Sequence, residues 1–411
     1  LLFDKMMLIG REQESEELHA LTGTMKVISV GGREGVGKTA FLHDFCSKHG
    51  CTYFCTAPDG YGNNMKRLAS LFGIDDATDP EEVLQKMSPS DGRTIVAIDD
   101  ALRFKDIEWI DPPENIVLIL CDRGFKDADI MLEPFCLRES GDFFPDFMPR
   151  EKLLIHAVTG GIPGYMEMFD RGMSVSASLG SLFFSRNGRL VREPERLLRN
   201  MGVREPDGYI SLMAAISEGA DTLNSMVRES DDRSTAAVSR HLDAIMDVFV
   251  SRHVPEGKVR ASYRISDRMT GFWMRFVRPH INEIMSGKQH IFEDIVEEEM
   301  DTYISEVFSE CCSEYIRDGY GMDIGAWTAM DPDGHMFSSC VDEEAYFISC
   351  TWSKRPVGRK GFDALKAFAG RKAPGRPRNY IMFSAGGFGK DMERMSETED
   401  IDLIPLEGMF W

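Results

Sequence analysis

A glycine-rich segment that ends in Lys38 and Thr39 holds the residue types that bind phosphate. It follows the apolar stretch Val27–Gly31 and has the spacing Gly-x-x-x-x-Gly-Lys-Thr from Gly32 onward. Glycines let a backbone curl around phosphate oxygens, and the loop N–H groups with the dipole of the next helix hold a β-phosphate. Lys38 is expected to reach the β- and γ-phosphates, and the Thr39 hydroxyl to ligate Mg²⁺.

This segment predicts a nucleotide site with ATP or ADP and Mg²⁺ as ligands. The alternative is a glycine-rich turn between a strand and a helix with a chance Lys-Thr pair. The predicted nucleotide-binding residues are Gly32, Arg33, Glu34, Gly35, Val36, Gly37, Lys38, Thr39 and Ala40.

Two acids, Asp99 and Asp100, follow a second buried-strand pattern. Thr94–Ile98 is continuously apolar or β-branched, which is typical of a parallel strand that is buried on both faces. Ligands gather at the carboxyl ends of such strands, so Asp99 is predicted to hold Mg²⁺ directly or through water. Asp100 is predicted to orient or deprotonate the attacking water, which makes Lys38 and Asp100 the predicted catalytic residues. Because Asp100 is one methylene shorter than Glu, we expect slow hydrolysis; a turn with two solvated acids is the alternative.

Strand and helix patterns alternate between residues 25 and 125, which predicts a parallel α/β sheet. Asn115–Leu120 is another strand pattern, apolar from Ile116 onward, and Asp122 lies two residues after its end. A polar sensor of the γ-phosphate would lie at this point, but an acid repels phosphate, so Asp122 is a poor candidate. Asp79 is a predicted helix N-cap, with Pro80 at the first helical position.

Composition indicates an ordinary globular protein of a reducing compartment. The chain has 411 residues, of which 43% are hydrophobic and 28% charged, enough for about three domains. Its nine cysteines form no Cys-x-x-Cys pair, which indicates reduced thiols and a cytoplasmic location; a metal site at Cys51 and Cys55 is the less favoured reading. No apolar run approaches the ~20 residues of a membrane span, and the first residues do not resemble a secretory signal.

Charge is unevenly distributed along the chain. The net charge of −21 disfavours indiscriminate binding of nucleic acid. Residues 352–380 nevertheless carry nine Lys/Arg and one acid, a local charge of +8 that leaves −29 for the remainder. This segment predicts an attraction to an acidic partner such as DNA, and a solvated helix face and loop is the alternative of equal weight. The candidate DNA contacts in it are Lys354, Arg355, Arg359 and Lys360.

Residues 206–266 show three helix patterns followed by a hairpin pattern that turns at Pro255-Glu256-Gly257. This is the order of a winged helix, in which the third helix is the one that reads DNA. Here the third helix pattern, Ser234–Val248, is expected to expose Arg240 and His241, the candidate DNA contacts. Neighbouring acids oppose contact with phosphate, and winged helices also pack against protein.

Six motifs along the chain carry a resemblance to a known family. They are Ile9-Gly10-Arg11-Glu12, the Gly-Lys-Thr loop, Ile98-Asp99-Asp100, Thr159-Gly160-Gly161-Ile162-Pro163-Gly164-Tyr165, Tyr263-Arg264-Ile265-Ser266-Asp267 and Phe272-Trp273-Met274-Arg275-Phe276-Val277. In this order they resemble the archaeal AAA-type ATPases related to the STAND signalling class. Those proteins join an ATPase core and helical lid to a winged helix and a C-terminal nuclease-like domain. The resemblance implies that Gly10 and Arg11 lie near the adenine end of the nucleotide and that Pro163, in the lid, touches the base.

The resemblance covers nearly the whole chain and implies its domain order. The expected fold is α/β, with the parallel sheet of an AAA/STAND-like P-loop NTPase followed by a lid, a winged helix and an α/β nuclease-like domain. The expected ranges are 1–150 for the ATPase core, 151–205 for the helical lid, 206–268 for the winged helix-turn-helix, 269–300 for an aromatic linker helix, 301–395 for a degenerate restriction-endonuclease-like domain and 396–411 for an acidic, solvated tail.

The nuclease-like region lacks the catalytic groups that the family implies. There, an Asp on one strand and a Glu-x-Lys on the next bind Mg²⁺ and activate water. Here Ser349 takes the position of the acid and Thr351 that of the lysine, and Phe337-Ser338-Ser339-Cys340 stands where the Asp belongs. A serine cannot supply the anionic oxygens that Mg²⁺ requires. We therefore expect a nuclease fold without nuclease activity; compensation by Asp342 or Glu343, which fall in the turn, is the alternative.

Three functions are consistent with these motifs. The leading hypothesis is an ATP-dependent switch with slow ATPase activity, in which ATP and Mg²⁺ close the lid on the core and reposition the winged helix and C-terminal domain. The second is a DNA-binding regulator or genome-maintenance factor whose affinity is tuned by ATP. The third is a protein-interaction scaffold with structural nucleotide, which binds another protein or a second copy of the chain. No membrane partner is expected.

Overall fold

The computed structural model describes residues 8–87, 93–231, 234–253, 261–288, 290–322, 329–331, 334–341, 344–372 and 378–410. The chain divides into two units. The first comprises Leu1–Phe135 with Ile162–Tyr165, and the second Cys136–Gly161 with Met166–Trp411. The first unit therefore ends before residue 150 and takes in four residues from the region expected to form the lid. None of the helices in these described ranges combines the length and the apolar composition of a membrane span.

Strands and helices alternate through the first unit. In chain order its elements are α1 (Glu12–Thr22), β1 (Val27–Gly31), α2 (Lys38–His49), β2 (Thr52–Cys55), α3 (Tyr61–Leu71), α4 (Pro80–Lys86), β3 (Thr94–Asp99), β4 (Ile116–Cys121) and β5 (Ile130–Met131), with 3-10 turns at Ala101–Arg103 and Ile107–Trp109. The strands pair in parallel in the order β2-β3-β4-β1-β5. The prediction of a parallel α/β sheet is confirmed.

The inner strands β3 and β4 are largely buried because they are apolar on both faces. β4 is buried along its whole length, and Val96 of β3 joins Leu68 of α3 in one hydrophobic cluster. Burial of one such side chain contributes roughly 1.5–3 kcal/mol. The start of α4 follows the prediction, since the Asp79 side chain accepts the N–H of Glu82 and Pro80 occupies the first turn.

The register of the sheet aligns the strand ends that carry the polar residues. Cys55 of β2 pairs with Asp99 of β3, Asp99 pairs with Cys121 of β4, and Cys121 pairs with Val30 of β1. Parallel strands end at the same edge of a sheet. The loop that begins at Gly32 and the acids that end β3 therefore meet at one edge, two strands apart.

The second unit opens with helices and a two-stranded sheet. Its elements are α5 (Leu137–Phe143), α6 (Pro149–Thr159), α7 (Pro163–Met166, mostly within the first unit), α8 (Val175–Phe183), α9 (Glu193–Asn200), α10 (Asp207–Ser217), α11 (Leu223–Glu229), α12 (Thr235–Ile245), β6 (Val250–His253) and β7 (Ser262–Ile265). β6 and β7 are antiparallel. The predicted order of three helices and a hairpin is observed, and the predicted turn at residues 255–257 lies outside the described residues.

An aromatic segment follows β7 and forms core. The elements are α13 (Arg268–Phe272), a π-helical turn (Trp273–Val277), a 3-10 turn (Arg278–His280), α14 (Ile281–Met285), a π-helical turn (Phe292–Val296) and α15 (Glu297–Tyr320). Phe272, Trp273 and Phe276 are buried, and the Trp273 indole N–H donates to the carbonyl of Val191 at 2.9 Å. The segment therefore joins α13 to the residues before α9.

A mixed sheet completes the second unit. Its elements are β8 (Ala329–Asp331), β9 (Gly334–Val341), β10 (Glu344–Thr351), α16 (Arg359–Lys372), β11 (Arg378–Ser384), α17 (Lys390–Ser396), β12 (Ile401–Pro405) and a 3-10 turn (Leu406–Phe410). The strand order is β12-β11-β10-β9-β8, parallel from β10 to β12 and antiparallel from β8 to β10. α16 covers one face through Phe362 and Leu365, which cluster with Phe347 and Met382.

The prediction of a solvated tail after residue 396 is wrong. Residues 401–405 form β12, which pairs with β11, and Leu406 and Met409 are buried. The acids mislead because apolar residues lie among and after them: Asp402 is exposed, whereas Ile401 and Ile404, on opposite faces of the strand, are both buried. Pairing with β11 and burial of the apolar residues therefore prevail over the local excess of acid.

Candidate functional site

The loop between β1 and α2 adopts backbone angles that require glycine. Gly32, Gly35 and Gly37 have φ values of 138°, 86° and 93°. A Cβ on Gly32 would lie 2.7 Å from the carbonyl oxygen of Leu132, so a side chain is excluded by contact as well as by conformation. Gly37 is the N-cap of α2. The loop and the start of α2 therefore follow the carboxyl end of β1, and a helix start of this kind can bind a phosphate through its N–H groups.

The Lys38 ammonium lies across this loop. Its Nζ donates to the carbonyl oxygens of Gly32 at 2.9 Å and Arg33 at 2.8 Å. Burial lowers the pKa of Lys38, opposed by nearby acidic groups including Asp99. The cation is thus held at the mouth of the loop by acceptors that a phosphate oxygen can replace.

Asp99 is the buried acid of the site, with 2% of its surface exposed. Its Oδ2 accepts hydrogen bonds from the Thr39 hydroxyl at 2.7 Å and the Tyr53 hydroxyl at 3.0 Å, and its Oδ1 accepts the N–H of Asp100 at 3.0 Å. The structure thus brings together the two residues predicted to hold Mg²⁺. A carboxylate and a hydroxyl are oxygen donors that suit a hard cation, so the residues present fit that ion.

Tyr53 was not among the residues that the sequence singled out. It lies on β2, and burial, together with the charge of Asp99, raises the pKa of its phenol, which keeps the hydroxyl protonated as a donor. A tyrosine in a short strand pattern usually indicates core. Only the pairing of β2 with β3 reveals its contact with Asp99.

The Asp100 side chain has a different partner. Its φ of 52° turns the backbone into the left-handed region, and its carboxylate forms an ion pair with Arg103 at 3.3 Å. The side chains of Asp100 and Arg103 are 48% and 40% exposed, so the pair contributes little to stability. The carbonyl of Asp100 accepts the Thr56 hydroxyl at 2.9 Å.

Asp122 accepts hydrogen bonds from two backbone N–H groups. Its carboxylate accepts the N–H of Leu102 at 3.1 Å and of Gly124 at 2.8 Å, and the residue is buried. These contacts give the Asp122 carboxylate a structural role in the segments that follow β3 and β4. Its neighbour Cys121 stands between Val30 and Asp99 in the sheet, and burial raises the pKa of its thiol.

The Arg11 guanidinium forms hydrogen bonds with the phosphate-binding loop and with the segments around it. Its Nη2 donates to the carbonyl oxygens of Val36 at 3.3 Å and Glu133 at 2.6 Å, and its Nη1 donates to Glu14 at 2.7 Å. The guanidinium also lies 4.7 Å from the centre of the Phe135 ring. Arg11 is buried, and its φ is 79°. Its side chain thus ties the phosphate-binding loop to α1 and to the segment after β5.

Residues 162–165 lie against the same loop. The N–H of Gly164 donates to the carbonyl of Gly35 at 2.9 Å, and a Cβ on Gly164 would lie 3.2 Å from Gly35 Cα. A Cβ on Gly35 would in turn lie 2.8 Å from Ile162 Cγ2. Pro163, which starts α7, is therefore held beside the loop. Two facing glycines allow this close backbone approach.

The other loop residues are distributed around its rim. Glu34 forms an ion pair with Arg123 at 3.4 Å, Val36 is buried, and Ala40 lies in the first turn of α2. Arg33 contributes its carbonyl to Lys38. The Gly10 backbone has a φ of 65°, next to Arg11.

The candidate DNA contacts lie in the second unit, and one of them is not exposed as predicted. Lys354, Arg355, Arg359 and Lys360 are exposed, as is Arg240 of α12. His241, however, is half-buried, and its ring packs on Tyr209 of α10 with 4.2 Å between ring centres. The prediction of an exposed His241 is therefore wrong: its position on α12 turns it toward α10.

The strand that matches the nuclease motif is β10. Ser349 is buried, Thr351 is half-buried, and alternation along the strand places both on the face that α16 covers. The Ser349 hydroxyl has no hydrogen-bond partner among the described residues. The compensating acids Asp342 and Glu343 lie outside the described residues.

A separate cluster of titratable side chains in the second unit is an ion-pair network. His156 of α6 with Cys311 and Glu314 of α15 offer ligand atoms within 4.8 Å of one another. The Arg268 guanidinium already contacts His156 Nε2 and, at 2.9 Å, Glu314. Because arginine has no acceptor, His156 Nδ1 carries the proton and donates to Ser140 Oγ at 2.7 Å. A cation therefore occupies this cluster without a metal.

Comparison with known proteins gives distant likenesses. No protein-family model matches the chain. An uncharacterized protein of Methanocaldococcus jannaschii is 21% identical over 246 residues, 56% of this chain and 54% of that protein, so the chain spans about half the length of this relative.

Two solved structures are similar to part of this chain, both with low TM-scores. A Walker-type ATPase of Pyrococcus abyssi is similar over 67% of this chain and 100% of its own, with 15% identity and a TM-score of 0.43. The RuvB Holliday junction branch migration motor of Thermotoga maritima is similar over 63% of this chain and 93% of its own, with 15% identity and a TM-score of 0.31.

Proposed function

We propose that the chain is a P-loop ATPase that binds ATP or ADP with Mg²⁺, hydrolyses ATP slowly and acts as a nucleotide-dependent switch. The observation that carries this proposal is the contact between Thr39 and Asp99, which joins a glycine-rich loop to a buried acid at the carboxyl edge of a parallel sheet. Loop N–H groups, a lysine and a hydroxyl–carboxylate pair are the groups that bind a nucleotide with its magnesium ion.

Each site residue has a role in this proposal. Lys38 exchanges its two carbonyl acceptors for β- and γ-phosphate oxygens. Thr39 and Asp99 hold Mg²⁺, which when bound neutralises charge on the phosphates. Pro163 and the backbone of Gly10-Arg11 border the adenine end, since the Arg11 guanidinium is committed to protein acceptors.

Slow hydrolysis follows from the position of Asp100. A carboxylate that orients water works best when it is fixed and within reach of that water. The Asp100 carboxylate is half-exposed and pairs with Arg103, so it must leave a partner before it can act. Its short side chain adds to this limitation.

The contacts within the second unit support the switch. Arg150 of α6 stacks on Trp352, which follows β10, with 4.3 Å between guanidinium carbon and ring centre. The Lys152 ammonium, also on α6, lies 5.4 Å from the centre of the Phe410 ring, which follows β12. We propose that residues 151–205 act as the lid, with a winged helix at 206–268, a linker helix at 269–300 and a degenerate nuclease-like domain at 301–395. A lid helix that moves would carry the C-terminal sheet with it.

The proposal is tested by nucleotide binding to Lys38→Ala, with Lys48→Ala as the matched control. Both residues lie on α2, but Lys48 is 62% exposed and pairs with Asp44. We expect Lys38→Ala to lose ADP affinity by at least about a hundredfold, because two or more charge-assisted hydrogen bonds disappear. Lys48→Ala should bind like the wild type. Equal affinity of Lys38→Ala and the wild type would refute the site.

Hydrolysis is tested separately from binding. Asp99→Ala and Asp100→Ala are expected to bind ATP but to lose roughly a hundredfold in turnover, since each removes a group that acts on Mg²⁺ or on water. Tightly retained ADP without turnover in the wild type would instead favour a scaffold with structural nucleotide.

The exposed cations of residues 354–360 favour a second candidate, a DNA-binding regulator whose affinity is tuned by ATP. Lys354, Arg355, Arg359 and Lys360 are exposed in one short segment. A phosphate interface loses affinity steeply as salt rises, so binding of duplex DNA at several salt concentrations tests this candidate. We propose that no cleavage accompanies binding, because Ser349 replaces the acid; Mg²⁺-dependent degradation of DNA that survives Asp342→Ala and Glu343→Ala would overturn this.

A further inference from the structure

The buried acid of the site has a hydroxyl donor that the proposed nucleotide chemistry does not use. Asp99 Oδ2 accepts hydrogen bonds from both Thr39 and Tyr53. Thr39 is accounted for as a magnesium ligand, whereas Tyr53 is not. Tyr53 comes from β2, and its ring meets the edge of His43 of α2, with 5.8 Å between ring centres and 76° between planes.

We propose that Tyr53 is a positioning residue for magnesium, which holds the Asp99 carboxylate in the orientation that Mg²⁺ needs; this inference rests on the proposed function. An aspartate at the end of a strand can rotate about two side-chain bonds. Hydroxyl donors on Oδ2 and the Asp100 N–H on Oδ1 fix the plane of this carboxylate. Of the two hydroxyls, only that of Tyr53 remains uncommitted to the ion.

The position of Tyr53 in the sheet gives its ring and its hydroxyl separate roles. Tyr53 pairs with Ala97 in the sheet, two residues before Asp99 on the neighbouring strand, so both side chains lie on the same face. The ring fills space beside α2, which a phenylalanine would fill equally well. The hydroxyl is thus the part of the residue whose presence the packing alone does not explain.

The expected effect appears only when Mg²⁺ is present. A hydrogen bond to a charged group changes an equilibrium constant by about tenfold or more. The Tyr53→Phe change removes that bond and keeps the ring. We therefore expect the gain in ADP affinity that Mg²⁺ gives to fall by about tenfold, while the affinity for ADP in EDTA stays within about twofold of the wild type.

The experiment measures ADP binding by titration calorimetry in EDTA and in saturating Mg²⁺ for the full chain. The matched control is Tyr61→Phe, which loses the same hydroxyl from a tyrosine on α3 whose ring contacts Phe104. A second readout follows Mn²⁺ by electron paramagnetic resonance, with ADP bound. Thermal unfolding of Tyr53→Phe without ligand checks that the fold is kept.

The outcomes separate this inference from the proposed function. A smaller magnesium effect in Tyr53→Phe, with Tyr61→Phe like the wild type, supports the positioning role. Equal magnesium effects in Tyr53→Phe and the wild type overturn it and leave the proposed function intact. An equal loss of affinity with and without Mg²⁺ also overturns it, because that is the signature of a purely structural role. A wild type that binds no ADP overturns both.

Discussion

Replacing Arg11 with methionine separates two roles for this residue. The family resemblance puts Arg11 near the adenine base, whereas its guanidinium contacts protein acceptors on three sides: Val36, Glu133 and Glu14. Methionine keeps an unbranched apolar stem over the Phe135 ring and removes the charge and all donors. The change therefore tests the guanidinium as a clamp on the phosphate-binding loop.

The expected loss of stability follows from the groups that lose Arg11 as a hydrogen-bond partner. Loss of the guanidinium leaves two main-chain carbonyl oxygens without a charged donor, and it leaves Glu14, which is 22% exposed, without its partner. Part of this loss is offset, because burial of a cation costs desolvation free energy and the variant has no cation to bury. A net cost of about 3 kcal/mol results. In a unit of about 140 residues that corresponds to a Tm lower by roughly 10 °C.

The assay is thermal unfolding of the full chain, with and without saturating ADP and Mg²⁺. Arg93→Met serves as the control, because Arg93 is exposed and donates to one carbonyl, that of Met25, at 2.9 Å. It should lower Tm by no more than about 2 °C, as expected for a surface substitution. Arg11→Met should bind ADP within about fivefold of the wild type at a temperature where it is folded, a difference of about 1 kcal/mol.

The opposite pattern would refute the clamp. If Arg11→Met unfolds at the wild-type temperature but binds ADP at least about fiftyfold more weakly, a loss of more than 2 kcal/mol, the guanidinium acts on the nucleotide itself. That result would favour the role implied by the resemblance.

Three further predictions concern pH, the phosphate-binding loop and the 3-10 turn at Leu406–Phe410. Burial, with the charge of Arg268, lowers the pKa of His156 well below 6.5, so below that pH the folded state binds fewer protons than the unfolded state. The free energy of unfolding should therefore be about 1.4 kcal/mol lower at pH 5.5 than at pH 8. Urea unfolding of His156→Gln should lack this part of the pH dependence. Gly35→Ala should weaken ADP binding at least about tenfold, because it adds strain and contacts Ile162, whereas Gly60→Ala, which adds strain in open space, should not change it. Leu406→Ala should destabilise the second unit by about 2–5 kcal/mol in urea unfolding, and Glu407→Ala by less than about 0.5 kcal/mol.

The parallel sheet and the edge where its polar residues meet could be predicted because their signals are local. The apolar runs before Gly32 and Asp99 mark strands without reference to any other part of the chain. Parallel strands then bring their ends to one edge. The contact between Thr39 and Asp99, 60 residues apart, follows from these two facts.

Contacts that depend on pairing between strands, or on main-chain acceptors, could not be predicted. Nothing in the spacing of Tyr53 indicates that β2 lies beside β3, and β4 could have taken that place. The acceptors of Arg11 are mostly backbone carbonyls, which every residue carries, so sequence gives no sign of them. His241 shows a related limit, because the exposed face of a helix is known only once its partner, here Tyr209, is known.

The 3-10 turn at Leu406–Phe410 has a consequence for synthesis of the protein. It packs on α5 and α6, with the Phe410 ring against Gly141 and the Lys152 ammonium 5.4 Å from the ring centre. More than 250 residues separate these partners. A chain that emerges from the ribosome therefore leaves the apolar surface of α5 and α6 uncovered until more than 250 further residues have been made. Contacts between residues so far apart in sequence slow folding, and the uncovered surface exposes the nascent chain to aggregation.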